Sequence, residues 1–187
     1  MEQCRTKSVT LVLGGVRSGK SRFAQDLAAQ YQRVTFIATA EAREDLEMQS
    51  KIDRHRAERP RHWQTLEVPL RLADAIQAST SASDSILVDC LTIFAANLLE
   101  AHGDGDAKKE AEISRLCNTL SSAECAVILV SNEVGSGVVP AYASGRQFRD
   151  LVGEINQRVA AVADNVLMMI AGLPVGLKGS ISPGAHQ

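Results

Sequence analysis

An excess of basic charge is the first thing missing from this sequence: 20 Lys and Arg stand against 22 Asp and Glu, a formal net charge of −2. No global field therefore draws the chain to nucleic acid or to an anionic membrane, although a local basic patch remains open. A basic stripe interleaved with aromatics, the mark of a nucleic-acid groove, is also lacking. The four cysteines (Cys4, Cys90, Cys117 and Cys125) form no C-x-x-C pair and no zinc-ligand spacing. Cys90 and Cys125 lie in or beside apolar runs, where a reduced thiol acts as a small hydrophobe. No apolar run is long enough to span a bilayer. Residues 1–8 are polar and charged, unlike a secretory signal, so a cytoplasmic protein is expected. Neither a repeat nor a linker divides the chain. Its 187 residues suit a single domain over 1–187, with 1–7 and 179–187 as flexible ends.

What is present is a set of short apolar runs at residues 9–13, 34–38, 86–88, 126–130 and 166–170. They are rich in β-branched residues and continuous rather than alternating, which predicts strands of a parallel sheet buried on both faces. Amphipathic stretches separate most of them. Residues 148–162 place Phe148, Leu151, Val152, Ile155, Val159 and Val162 on one helical stripe, and residues 21–30 carry Phe23 and Leu27 four apart. The predicted architecture is α/β, a doubly wound, mostly parallel sheet with helices on both faces. Residues 135–145, rich in Gly, Ser and Pro, read as a mobile loop after the fourth of these strands, where ligand sites of open α/β sheets lie.

Gly14-Gly15-Val16-Arg17-Ser18-Gly19-Lys20-Ser21 satisfies G-x-x-x-x-G-K-[ST] between a predicted strand and a predicted helix. Glycines in such a loop let successive main-chain N–H groups turn toward phosphate oxygens, and the helix N-terminus adds positive potential. Lys20 can reach the β- and γ-phosphates, and the Ser21 hydroxyl can ligate Mg²⁺. Ile86-Leu87-Val88-Asp89 is an apolar strand ending in a carboxylate, the Walker B pattern, in which Asp89 holds Mg²⁺ directly or through water. A strand-terminal Asp can equally serve a turn. Glu133 brings another carboxylate after the fourth run, for metal, water or substrate, or for capping. Residues 44–59 are helix-compatible and put Met48, Ile52, His55 and Arg59 on one face before Pro60 stops the helix. On those grounds alone His55 reads as a packed or solvent-edge histidine.

Several blocks together resemble one enzyme family. They are GGVRSGKS, Ile37-Ala38-Thr39, the run IDRHRAERPRHWQTLE at residues 52–67, VDCLT with Asn97-Leu98-Leu99, SNEVG with Val139-Pro140, RQFRD and GEINQR within 146–158, and AGLP with the later LK. In this order they are similar to the adenosylcobinamide kinase/adenosylcobinamide-phosphate guanylyltransferase family, over residues 8–178. The resemblance implies a RecA-like P-loop fold and two activities in cobalamin biosynthesis. ATP or GTP phosphorylates the aminopropanol arm of adenosylcobinamide. GMP then passes from GTP to that phosphate through a guanylyl-histidine, giving adenosyl-GDP-cobinamide.

The position matching the nucleophilic histidine is His55. The family can carry a second histidine just before it, where this chain has Arg54, which leaves His62 as the one neighbour to exclude. Arg56 and Arg59, next to His55, are expected to stabilise phosphoryl charge, or else to be solvated surface charges. Arg17 is a further candidate for neutralising phosphate. The resemblance also implies a homo-oligomer, a trimer in the family. The corrinoid it names is large, so its site is expected to involve the 135–145 loop and to reach a subunit boundary. Two alternatives stay open on the residues alone: another small-molecule P-loop kinase with no covalent histidine, and a RecA-like ATPase or regulator.

Overall fold

The computed structural model describes residues 7–40, 60–103 and 105–179. Seven strands form one sheet: β1 (Ser8–Gly14), β2 (Val34–Ala38), β3 (Gln64–Glu67), β4 (Ser85–Asp89), β5 (Ala126–Asn132), β6 (Asn165–Ile170) and β7 (Leu173–Lys178). Their spatial order is β3-β2-β4-β5-β1-β6-β7. Every neighbouring pair is parallel except β6 with β7, which form an antiparallel hairpin.

The continuous apolar runs explain the centre of this sheet. Along β1, Val9, Leu11 and Leu13 point into one core while Val12 points into the other. Along β5, Val127 and Leu129 alternate in the same way with Ile128 and Val130. Such strands need cover on both faces. On the first face lie helices α2 (Leu72–Ser79), α3 (Leu91–His102), α4 (Asp106–Ser121) and α5 (Ala143–Val162), through residues such as Ile76, Phe94, Leu116 and Ile155. On the second lies α1 (Lys20–Ala28), through Phe23, Ala24 and Ala28 beside Trp63 and Phe36. Each fully buried Leu, Ile or Phe on these stripes contributes about 1.5–3 kcal/mol by removing apolar surface from water.

The sheet is doubly wound, as expected. The chain leaves β1 through α1 on one face toward β2, and leaves β5 through α5 on the other face toward β6. Adjacent strands whose connections diverge in this way open a crevice at their carboxyl ends.

The expected elements shift in three places. Helix α5 starts at Ala143 rather than 148, so Ser144 and Gly145 belong to it and not to the preceding loop. Strands β3 and β7 were not expected. Both are edge strands with mostly exposed residues, so no buried run marks them. In β7, Pro174 and Gly176 further hide the pattern; an edge is where a sheet tolerates proline. The helix expected over 44–59 lies outside the described residues, as do 180–187 and all but Lys7 of the expected N-terminal flexible end. Among the described residues no helix is long and apolar enough to cross a membrane.

Candidate active site

The segment 14–21 begins where β1 ends and closes where α1 begins. Three main-chain hydrogen bonds fasten it. Ser18 N–H donates to the Gly15 carbonyl at 3.3 Å, Glu133 N–H to Gly14 at 3.2 Å, and Gly172 N–H to Ser18 at 3.0 Å. The loop is thus tied to the end of β5 on one side and to the β6–β7 turn on the other. Gly19 has φ +91, and a Cβ there would sit 3.3 Å from the Gly172 Cα, so both conformation and space call for glycine. Arg17 adopts a left-handed backbone, φ 58, with its side chain exposed. Helix α1 has no side-chain cap and no acid in its first turn. Its leading N–H groups and positive dipole end are directed at whatever the loop surrounds, an anion seat in chemical terms.

Lys20 is half-buried at the first position of α1, and its Nζ donates to the Gly15 carbonyl at 3.1 Å. Burial holds its ammonium below the ordinary lysine range, opposed by the nearby Cys90 and Asp89. A phosphate would supply the counter-charge that burial makes desirable. Ser21 follows on the same turn.

Asp89 ends β4, with β5 lying between β4 and β1. Register places Gly14 opposite Asn132 and Asp89 opposite Val130. The carboxylate and the phosphate loop therefore flank one strand, two strand spacings or about 10 Å apart in main chain. Ser21 and Asp89 present hard oxygen donors, which suit Mg²⁺ in a shell completed by phosphates and water. Among the described residues no cluster of three His, Cys, Asp or Glu forms a metal cage.

Beneath this edge lie polar residues that the sequence showed only as members of the resembling blocks, with no role of their own. The Thr39 hydroxyl donates to the Cys90 carbonyl at 2.7 Å and accepts from Cys90 N–H at 2.9 Å, bracing the chain just after Asp89. Asn97 Nδ2 in turn donates to the carbonyls of Thr39 and Pro69, each at 2.9 Å. Thr92 Oγ1 accepts from Asn132 N–H at 2.7 Å, and Asn156 Nδ2 donates to the Asn132 carbonyl at 3.0 Å. The available signal was a buried-type helix stripe interrupted by a polar residue: Asn97 among the apolar residues of α3 and Asn156 beside Ile155 on α5.

Cys90 is a free thiol, raised to about 11 by burial and by Asp89, against hydrogen bonds from Ile93 and Thr92. It is neutral at physiological pH and supplies no nucleophile. Cys125 is fully buried, in keeping with its reading as a small hydrophobe. Glu133 Oε1 accepts from Gly135 N–H at 2.6 Å, closing its own turn.

His55, Arg56 and Arg59 lie outside the described residues. His62 is described and exposed. It precedes β3, whose Gln64 pairs with Thr35 at the start of β2 and whose Glu67 pairs with Ala38 at its end. His62 therefore sits at the amino edge of the sheet, opposite to the edge that carries Gly14 and Asp89.

A glycine-rich loop between β1 and α1, its lysine, and an Asp two strands away define a P-loop nucleotide-binding protein. Solved structures share this fold. An ATPase from the type III secretion system of pathogenic bacteria superposes with a TM-score of 0.57 at 13% identity, over 91% of this chain and 57% of its own. The ATPase EscN of enteropathogenic E. coli gives 0.57 at 11%, over 88% and 43%. The chain thus spans only about half of each, and the likeness concerns the fold alone.

Sequence comparison is more specific. The family model for cobinamide kinase/cobinamide phosphate guanyltransferase matches residues 10–177. The Pseudomonas aeruginosa bifunctional adenosylcobalamin biosynthesis protein CobP is 45% identical over 170 residues, 90% of this chain and 96% of that protein. The Escherichia coli and Salmonella typhimurium proteins CobU, of the same description, are 38% and 39% identical over 179 residues, 90% of this chain and 98% of theirs. The chain belongs to the cobinamide kinase/cobinamide phosphate guanyltransferase family, as its motifs implied. That membership sets aside the RecA-like ATPase or regulator and a kinase of a single activity; the covalent histidine belongs to the proposal below.

Proposed function

We propose that this chain phosphorylates adenosylcobinamide with ATP or GTP and then transfers GMP from GTP to the new phosphate, giving adenosyl-GDP-cobinamide. The observation that carries the reading is the phosphate cradle of residues 14–21 flanking the same strand as Asp89, in a chain of this family. In the kinase step the main-chain N–H groups and Lys20 hold the triphosphate. Arg17, exposed on the loop, is placed to neutralise the transferring group. Mg²⁺, held by Ser21 and Asp89, would draw charge from the phosphates. The acceptor hydroxyl attacks the γ-phosphorus, the bond to the bridging oxygen breaks, and the hydroxyl proton leaves to solvent or a nearby base.

In the second step a neutral His55 nitrogen attacks the α-phosphorus of GTP and pyrophosphate departs. The phosphate of the acceptor then attacks the same phosphorus, the P–N bond breaks, and the histidine is regenerated. Arg56 and Arg59 stabilise the anionic adduct, and Glu133 stays a nucleotide-site residue through its backbone bond to Gly14. The position of His62 at the opposite sheet edge favours His55 as the nucleophile. The reading places the protein in the cytoplasm as a homo-oligomer, a trimer by family resemblance. Among the described residues no strand pairs with the outer edge of β7, and this edge, with exposed Leu173 and Leu177, is a surface suited to self-association.

The experiment is intact-mass measurement after incubation with GTP and Mg²⁺. One GMP adds per reactive chain, labile to acid and stable to base. His55→Ala loses the adduct and nucleotidyl transfer while keeping the kinase step. An adduct that survives in His55→Ala, or that maps to His62, overturns the assignment.

A further inference from the structure

Eight large apolar side chains are strongly exposed among the described residues, and they form two groups. Four lie on the β6–β7 hairpin. The other four (Val16, Val138, Val139 and Tyr142) lie at the carboxyl edge of the sheet, on the phosphate loop and on the segment that leaves β5. Val138 is 94% exposed and Tyr142 79%. Leaving such groups in water forgoes burial that folding would otherwise exploit, and exposed apolar patches of this kind mark binding surfaces.

The exposure is built in. Val134, at the start of the segment, does pack against the core. Beyond it the chain is pinned outward: Arg146 Nη1 donates to the Pro140 carbonyl at 3.0 Å and to the Ala141 carbonyl at 2.8 Å. Gly145 lies so close beneath that a Cβ there would come 2.8 Å from the Pro140 Cβ. The first turn of α5 therefore holds residues 140–142 in place while their apolar neighbours stay uncovered.

The position singles out the occupant. The segment emerges from β5, the strand between the one that ends in the phosphate loop and the one that ends in Asp89. The acceptor hydroxyl must reach the γ-phosphate at this edge, so the body of the acceptor must rest on what surrounds it. We propose that Val138, Val139 and Tyr142 form an apolar platform for the corrin ring of the acceptor, with Val16 at its phosphate side, so that the aminopropanol arm is directed toward Lys20. The proposal rests on the kinase reading above. A corrin is a broad ring whose faces carry methyl and methylene groups and whose amide arms lie at the rim. Two valines match the faces, and a tyrosine covers apolar surface while its hydroxyl stays wet. A purine base is the competing occupant, since it also stacks on a tyrosine ring.

Equilibrium dialysis of adenosylcobinamide, followed by its visible absorbance in the dark, measures acceptor binding without turnover. Tyr142→Ser and the double variant Val138→Ser/Val139→Ser should each weaken acceptor binding about tenfold, as loss of apolar contact area predicts. Tyr142→Phe, which keeps the ring, should bind within about twofold of wild type, and ATP and GTP affinities should stay within about twofold throughout. Because these side chains are exposed, thermal midpoints should not move, which separates lost contact from lost folding. Unchanged acceptor binding in both variants overturns the platform alone. Weakened triphosphate binding in its place also overturns it and assigns the patch to the base. Wild-type protein that forms the GMP adduct yet does not bind adenosylcobinamide overturns the platform together with the kinase reading.

Discussion

The phosphate loop and the segment after β5 share one edge of the sheet and are built in opposite ways. In the loop, main-chain groups are fixed by hydrogen bonds to two neighbouring strand ends, glycine is required at position 19 by conformation and space, and the polar side chains that brace the edge are buried beneath. In the segment after β5, the main chain is pinned by one arginine and the apolar side chains stand outside. The contrast matches two kinds of ligand. A triphosphate is recognised by positive main-chain geometry, which any P-loop protein can supply. A large apolar acceptor is recognised by side chains, which are particular to the chain that carries them.

If that division is right, the largest single effect belongs to the loop. Lys20→Ala should abolish phosphorylation and weaken triphosphate binding about a hundredfold or more in calorimetry, because a charge-assisted contact to the phosphates is lost. Acceptor binding should stay close to wild type. Parallel loss of both affinities would break the division. Lys20 also sets a pH dependence. Burial lowers its pKa, and the protonated form is the one that binds phosphate. Wild-type affinity should therefore fall as pH rises through the range just below the ordinary lysine value, with proton uptake on binding there.

A middle-sized effect belongs to the braces under the edge. Thr39→Val keeps the shape but strands the N–H of Cys90 and takes one of two donors from its C=O, which keeps the Phe94 N–H at 3.2 Å. Leaving that buried main-chain donor unpaired costs about 1–3 kcal/mol, readable as a lower denaturant midpoint, and Thr39→Ser should recover most of it. Since the brace adjoins Asp89, the variant should also need more Mg²⁺ for half-maximal activity. A midpoint equal to wild type would show that this donor finds another partner and that the edge is less preorganised than described.

The two regions were also unequally legible in the sequence. The loop could be read because its chemistry is contiguous: eight residues, a strand before and a helix after. The inner strands could be read because burial on both faces writes itself as an unbroken apolar run. β3 and β7 could not, since an exposed edge strand of four or six residues leaves no such run. The Thr39 brace could not either, because its partner Cys90 is 51 positions away and only the pairing of β2 with β4 brings them together. His55 was reached through family resemblance rather than periodicity, which by itself favoured a packed histidine. The platform residues were inside a segment read as a mobile loop. Its composition of Gly, Ser and Pro concealed that Arg146, one helical turn into α5, holds it in place.

That pinning gives the smallest and most discriminating effect. Arg146→Ala removes the donor to the Pro140 and Ala141 carbonyls. Both carbonyls lie near the surface, and water can replace the guanidinium, so stability should fall by less than about 1 kcal/mol. The apolar side chains themselves remain. What is lost is their fixed placement, and a segment that must be ordered on binding gives up part of its contact energy. A handful of residues freed in this way should weaken acceptor binding about three- to tenfold in the same dialysis measurement. That is no more than the Tyr142→Ser effect, and the double variant Arg146→Ala/Tyr142→Ser should lose less than the two single losses combined, because both act on one surface. Triphosphate affinity should not change. Unchanged acceptor affinity in Arg146→Ala would mean that the segment finds its bound form without the clamp. A fall in triphosphate affinity of the same size would move the segment from the acceptor side of the site to the nucleotide side.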